Sequence, residues 1–222
     1  MTDAHKREKQ MTRFIMIRHG FSVANNEHRF AGNSDIPLTD LGRAQAEKCA
    51  EALKDERIDA IYSSDLSRAF DTARPVARTH GLEITATKAL REIFAGEWEG
   101  KTFDRIDEEH HEEFALWKRD IGRARCTGGE SPVDVSRRVL SALSEIAEKH
   151  EGQTVCIATH ATPIRSVCTA AAGLDATDMA MIPWTANASI SLFEYEDGIF
   201  TAVYTSKTNH LGDLRTAPPT NV

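Results

Sequence analysis

Phe14-Ile15-Met16-Ile17 runs directly into Arg18-His19-Gly20. Four consecutive apolar residues bounded by a glycine read as a core strand of an α/β sheet. In such sheets ligands sit outside the carboxyl ends of the strands. Arg18 and His19 stand at that end, and Gly20 is expected to let the backbone turn sharply and lie close to a ligand. A permanent cation beside an imidazole suggests a site for an anion, most simply a phosphate. A strand that merely ends in two polar residues fits this stretch equally well, so the rest of the chain has to decide.

A second strand behaves the same way. Thr154 to Ala158 is apolar and delivers Thr159-His160 to its carboxyl end. Between the two, strand and helix patterns alternate: Ile58–Tyr62 as strand, a helix from about Leu66 to Gly81, and Leu82–Thr85 as a shorter strand. A helix starts after the N-cap Thr39, with Leu41, Ala44, Cys49, Ala52 and Leu53 as its apolar face. Ser131-Pro132 opens another, with Val135, Val139, Leu143 and Ile146 facing the core. Further helices are expected over Thr102–Lys118 and after Pro163. Pro75 is expected to kink or split its helix. Phe21 to Pro37 reads as a long loop, and Ala188–Glu194 with Phe200–Tyr204 as an antiparallel hairpin at the sheet edge. The alternation predicts a three-layer α/β/α sandwich with a mostly parallel sheet. In a parallel sheet the two histidine-bearing strand ends lie on one side.

A chain of 222 residues buries one substantial core, expected here over residues 11–215. Residues 1–10 are polar and are expected to form a disordered tail rather than a signal peptide. Residues 216–222, with Pro218-Pro219, are expected to be loose. A formal charge of −7 argues against nucleic acid or a basic membrane-surface patch as partner. No apolar run reaches membrane-spanning length. Cys49, Cys126, Cys156 and Cys168 have no metal-ligand spacing, which favours buried thiols and a cytoplasmic setting. His5, His28, His80, His110, His111 and His150 read as solvated surface. His110-His111 among glutamates is not read as a metal site, because adjacent side chains on a helix diverge.

Arg18-His19-Gly20 is followed in order by Asn25, Gly32, Pro37-Leu38-Thr39 with Gly42, and Ser64 through Arg68 with Thr72-Ala73. Then come Glu92, Gly96, Trp98-Glu99-Gly100, Gly129-Glu130-Ser131 and Thr159-His160. This ordered set resembles the histidine phosphatase superfamily, the phosphoglycerate mutase-like family, in its compact phosphatase branch. The resemblance implies that His19 is a nucleophile forming a phosphohistidine. It implies that Arg18, Arg68 and His160 hold the phosphoryl oxygens, with Asn25 as a neutral donor. It implies that Glu92 is the general acid and then the base for water. No metal or other cofactor is implied, and the partner is a small phosphorylated metabolite.

Each of these residues also has an ordinary reading. Glu92 can be a surface carboxylate, Arg68 can pair with Asp65 or Asp71, and His160 can be a core histidine. Asn25 can be a turn former and Trp98 a packing residue. Two positions depart from the family pattern. Phe21 replaces the common glutamate after Arg-His-Gly, leaving the rim less acidic. Ala161 replaces the common glycine after the second histidine and is expected to narrow the approach to phosphate. Arg119, Arg123 and Arg125 are candidates for a basic lid. The short span from Glu92 to His160 and the segment Asn209-His210-Leu211 favour hydrolysis over mutase activity. A phosphoglycerate mutase and a non-catalytic phospho-ligand binder remain the alternatives.

Overall fold

The computed structural model describes residues 10–217. Of the tails expected over residues 1–10 and 216–222, all but Gln10, Thr216 and Ala217 lie outside the described residues. Six strands form one sheet: β1 (Thr12–Arg18), β2 (Ala60–Ser64), β3 (Ile84–Thr87), β4 (Thr154–Thr159), β5 (Ile190–Glu196) and β6 (Ile199–Lys207). Their spatial order is β3-β2-β4-β1-β5-β6. The pairs β1·β4, β2·β4 and β2·β3 are parallel, whereas β5 and β6 are antiparallel at one edge. The edge hairpin turns at Asp197-Gly198, both with positive φ, the geometry that matches strand twist in a tight hairpin.

Alternation along β1 explains the layers. Phe14 and Met16 enter one core cluster, Ile15 and Ile17 the other, because successive side chains leave a strand on opposite faces. Val155 and Ile157 of β4 join the first cluster, Cys156 and Ala158 the second. Helices α2 (Asp40–Leu53) and α3 (Ser67–His80) cover the second face. The first face is covered by α6 (Pro132–Lys149) and α7 (Ala161–Ala171), with α4 (Phe103–Glu109) and α5 (His111–Arg119) beyond. The three-layer α/β/α expectation holds. No helix among the described residues is long and apolar enough to cross a membrane.

Several local expectations need correction. The Phe21–Pro37 stretch contains a short helix, α1 (Val23–Asn26), fixed by a capping box between Ser22 and Asn25. Helix α3 runs unbroken through Pro75. Pro75, Val76, Ala73 and Ala77 are all buried, and packing against the sheet supplies more than the one missing hydrogen bond removes. The Thr102–Lys118 pattern is two helices, broken at His110, whose φ and ψ of −138° and 45° are not helical. The buried face of α2 is rotated: Gly42, Gln45, Ala46, Cys49, Ala50 and Leu53 are buried, and Ala52 is exposed. Gln45 is tolerated inside because its carbonyl accepts from Phe21 N–H at 2.8 Å and its amide donates to Leu214 O at 2.8 Å. The β2 and β3 strands each begin two residues later than their sequence patterns suggest.

Candidate active site

Strand register assembles the centre. Arg18 pairs with Thr159 across β1·β4, and His19 N–H donates to Thr159 O at 2.8 Å. The next residues, His19 and His160, therefore emerge side by side, with ring centroids 5.2 Å apart. Strand β2 ends beside them at Ser64, whose Oγ is hydrogen-bonded to His160 Nε2 at 2.9 Å. Helix α3 follows β2 and carries Arg68 in its first turn. A cavity of about 510 Å³ opens here, lined by Arg18, His19, Asn25, Arg68, Glu92 and Ala161 among others.

His19 is held in one tautomer. Its Nδ1 lies 2.8 Å from Gly20 O. A carbonyl only accepts, so Nδ1 carries the proton and the Nε2 lone pair is free. Burial pushes the His19 pKa well below 6.5, and Arg68 and Arg18 push it further down. His160 is lowered for the same reasons, burial first and then Arg68. Both rings are neutral at neutral pH.

Arg68 does not pair with Asp65 or Asp71. It donates to Ser34 O at 2.8 Å and Gly32 O at 2.7 Å, while Asp65 takes Arg91 in a two-pronged ion pair at 2.6 and 2.7 Å. The carbonyls that receive Arg68 belong to a loop built on Glu99. Its carboxylate accepts from Asn33 N–H, Ser34 N–H, Ser34 Oγ and Ala95 N–H at 2.6–2.9 Å. Gly32, at φ +47°, admits that carboxylate, since a Cβ there would lie 2.1 Å from Glu99 Oε1. Arg18 donates to Thr185 O. Desolvation brings Arg18 and Arg68 down to about 10, and both remain cationic at neutral pH. Arg18 Nε, Arg68 Nε and His160 Nδ1 are buried without a partner among the described residues.

Glu92 lies after β3 and its carboxylate reaches the start of α7. Oε2 accepts from Ala161 N–H at 3.2 Å and Thr162 N–H at 3.4 Å, and Oε1 from Ile93 N–H at 2.9 Å. Asn25 Oδ1 is consumed by Ser22 and by Asn187 Nδ2, which leaves the Asn25 amide free to donate. Ala161 is on the cavity wall. Gly20 is not among the lining residues. Its place is structural: a Cβ would lie 2.4 Å from Gly42 O, its N–H donates to Thr72 Oγ1 and its carbonyl orients His19. Phe21 does line the cavity.

Sequence reading missed Asn187, which also donates to His19 O at 3.2 Å, and Thr185. Both sit in an irregular stretch before β5 with no periodic signal. It also missed Thr216 and Ala217, which line the cavity, so the expected loose tail begins as part of its wall. The basic lid does not form: Arg123 pairs with Asp120, Arg125 with Asp134, and none of the three arginines lines the cavity. His110 is not solvated surface: it packs on Trp98 with 11% of its side chain exposed, while His111 turns away to Asp107. His150 is likewise engaged, by Tyr62 and Gln153. Trp98 is wholly buried, a packing residue as its ordinary reading has it.

The two neutral histidines set a pH dependence of stability. In the unfolded chain they titrate near 6.5, and in the fold well below it. Below pH 6.5 the unfolded state binds protons that the folded state refuses, so stability falls on acidification and is complete above that value. The slope approaches about 1.4 kcal/mol per pH unit for each ring. Thermal midpoints measured between about pH 5 and 6.5, a window below the free histidine pKa, should fall with pH, and His160→Asn should make that fall shallower. An unchanged slope in the variant would contradict the assignment.

Residues 14–208 match the family described as the histidine phosphatase superfamily (branch 1). Phosphoserine phosphatase 1 of Hydrogenobacter thermophilus is 32% identical over 92% of this chain and 96% of its own length. Glucosyl-3-phosphoglycerate phosphatase of Mycolicibacterium vanbaalenii is 33% identical over 81% of this chain and 83% of its own. Among solved structures, YhfR of Bacillus stearothermophilus superposes with a TM-score of 0.86 at 31% identity, covering 90% of this chain and 99% of that one. With the matched region spanning nearly the whole sheet and holding His19, Arg68, Glu92 and His160, the chain belongs to the histidine phosphatase superfamily, branch 1.

Proposed function

We propose that this chain is a metal-independent phosphomonoesterase that hydrolyses a small phosphorylated metabolite through a phosphohistidine at His19. One observation carries the reading: His19, with a free imidazole lone pair, lines one cavity with Arg18, Arg68 and Glu92, and the His160 ring lies 5.2 Å from its own; Arg18 Nε, Arg68 Nε and His160 Nδ1 are buried without a partner among the described residues. Unpaired buried donors are costly, and a phosphoryl group supplies the acceptor oxygens they lack. Relatives named as phosphatases point the same way.

His19 Nε2 attacks phosphorus, the P–O bond to the alcohol breaks, and Glu92 protonates the departing oxygen. Water then attacks the phosphohistidine, Glu92 takes its proton, and the P–N bond breaks to release phosphate and neutral His19. Arg18, Arg68, His160 and the Asn25 amide stabilise the charge on the equatorial oxygens. The guanidinium groups supply the charge that a metal ion supplies elsewhere. The free, buried thiols of Cys49, Cys126, Cys156 and Cys168 suit a reducing cytoplasmic setting.

The test is phosphate release from a panel of phosphomonoesters, phosphoserine and phosphoglycerates included, with a chelator present. Release that survives chelation is the expected result. Isomerisation of phosphoglycerate without release would make the chain a mutase, and phosphate binding without turnover across the panel would make it a binder.

A further inference from the structure

Arg138 projects from α6 toward the segment that carries Glu92, and every one of its N–H donors is used. Nε and Nη2 grip the Glu130 carboxylate at 2.8 and 3.0 Å. Nη2 also donates to Glu92 O at 2.8 Å, and Nη1 donates to Arg91 O at 2.8 Å and Ala89 O at 3.0 Å. Glu130 closes the other side. Its Oε2 accepts from Phe94 N–H at 2.8 Å, and its own N–H donates to Phe94 O at 2.8 Å. Thr159 Oγ1 donates to a further carbonyl of the segment, Leu90 O, at 2.7 Å.

The backbone from Ala89 to Phe94 is thus clamped from outside the cavity while the Glu92 side chain faces into it. Neither Arg138 nor Glu130 lines the cavity, so neither touches a bound substrate. Beyond the single 3-10 turn at Lys88–Leu90 the segment has no regular hydrogen-bonding ladder and no intrinsic reason to hold one conformation. A planar guanidinium with five fixed donors imposes one, which a lysine ammonium with three mobile donors does not.

The geometry points to the Arg138–Glu130 pair as a latch that positions Glu92 for proton transfer to the leaving oxygen. This rests on the reading of Glu92 as the general acid. A positioning role has a signature that a general structural role lacks. Loss of proton donation harms a basic leaving group far more than an acidic one. Phenyl phosphate and p-nitrophenyl phosphate differ little in shape and greatly in leaving-group basicity, and kcat/KM reports the first phosphoryl transfer for each.

We would measure both substrates with Arg138→Met, Arg138→Lys, Glu130→Gln and Glu92→Gln. Arg138→Met should lose about tenfold more kcat/KM on phenyl phosphate than on p-nitrophenyl phosphate, part of the range open to general acid catalysis. Inhibition by inorganic phosphate should stay within about twofold, because ground-state binding is untouched. Arg138→Lys and Glu130→Gln should show the same bias more weakly, and they decide the matter if Arg138→Met does not fold. Parallel losses on both substrates, or weakened phosphate binding, would overturn the latch. A leaving-group bias in Glu92→Gln but in none of the other variants would overturn the latch alone. No bias in Glu92→Gln would remove the acid assignment, and the latch with it.

Discussion

His19→Ala should lower turnover of every phosphomonoester substrate to less than about a hundredth of wild type, a loss of roughly 3 kcal/mol or more of barrier reduction. The reason is specific to this ring. It alone combines a tautomer locked by Gly20 O with a pKa held down by burial, Arg68 and Arg18. Its neighbour His160 is just as buried, but its Nε2 is tied to Ser64 Oγ. The fold should survive, because the backbone at position 19 is fixed by Thr159 O and Asn187 rather than by the ring. Steady-state kinetics with circular dichroism as a check on folding would decide. A folded variant that keeps more than about a hundredth of the rate would end the nucleophile assignment.

Arg68→Met should lower kcat/KM by about 10²–10³, the usual scale for removing a preorganised charge-stabilising donor. It keeps much of the volume and removes the cation. Two further consequences follow from its partners. The Gly32 carbonyl loses its donor, at about 1–3 kcal/mol if it stays buried, whereas Ser34 O keeps the Ile36 N–H at 3.0 Å. Arg68 also depresses both histidines, so its removal raises their pKa values. The acid limb of the pH–rate profile should therefore move to higher pH. A variant with reduced activity but an unmoved acid limb would show that Arg68 does not act on these rings.

How much of this was legible beforehand depends on where each residue's partners lie. His19 and His160 could be read because each follows an apolar strand, and parallel strands bring their carboxyl ends to one side. Arg68 could be read as odd, since a cation in the first turn of a helix opposes the dipole. Its true partners could not, because the Gly32 and Ser34 carbonyls lie in a loop without period. Arg138 carries no signal of its own in the sequence, and only the folded chain shows all five of its donors engaged. Arg123 and Arg125 looked available and proved to be paired locally with Asp120 and Asp134.

The sequence by itself determined the α/β sandwich, the side of the sheet that holds the site, and the residue types gathered there. Hydrophobic periodicity and strand-terminal residues are local properties, and a single chain displays them directly. Tertiary structure decided which His19 nitrogen is free, which arginines are committed and which are spent on ion pairs, and what holds Glu92 in place. Those depend on hydrogen bonds between residues far apart in the chain, such as Arg138 to Glu92 and Asn187 to His19. No local pattern encodes such partners, because a polar side chain looks the same in sequence whether it meets water or a distant carbonyl.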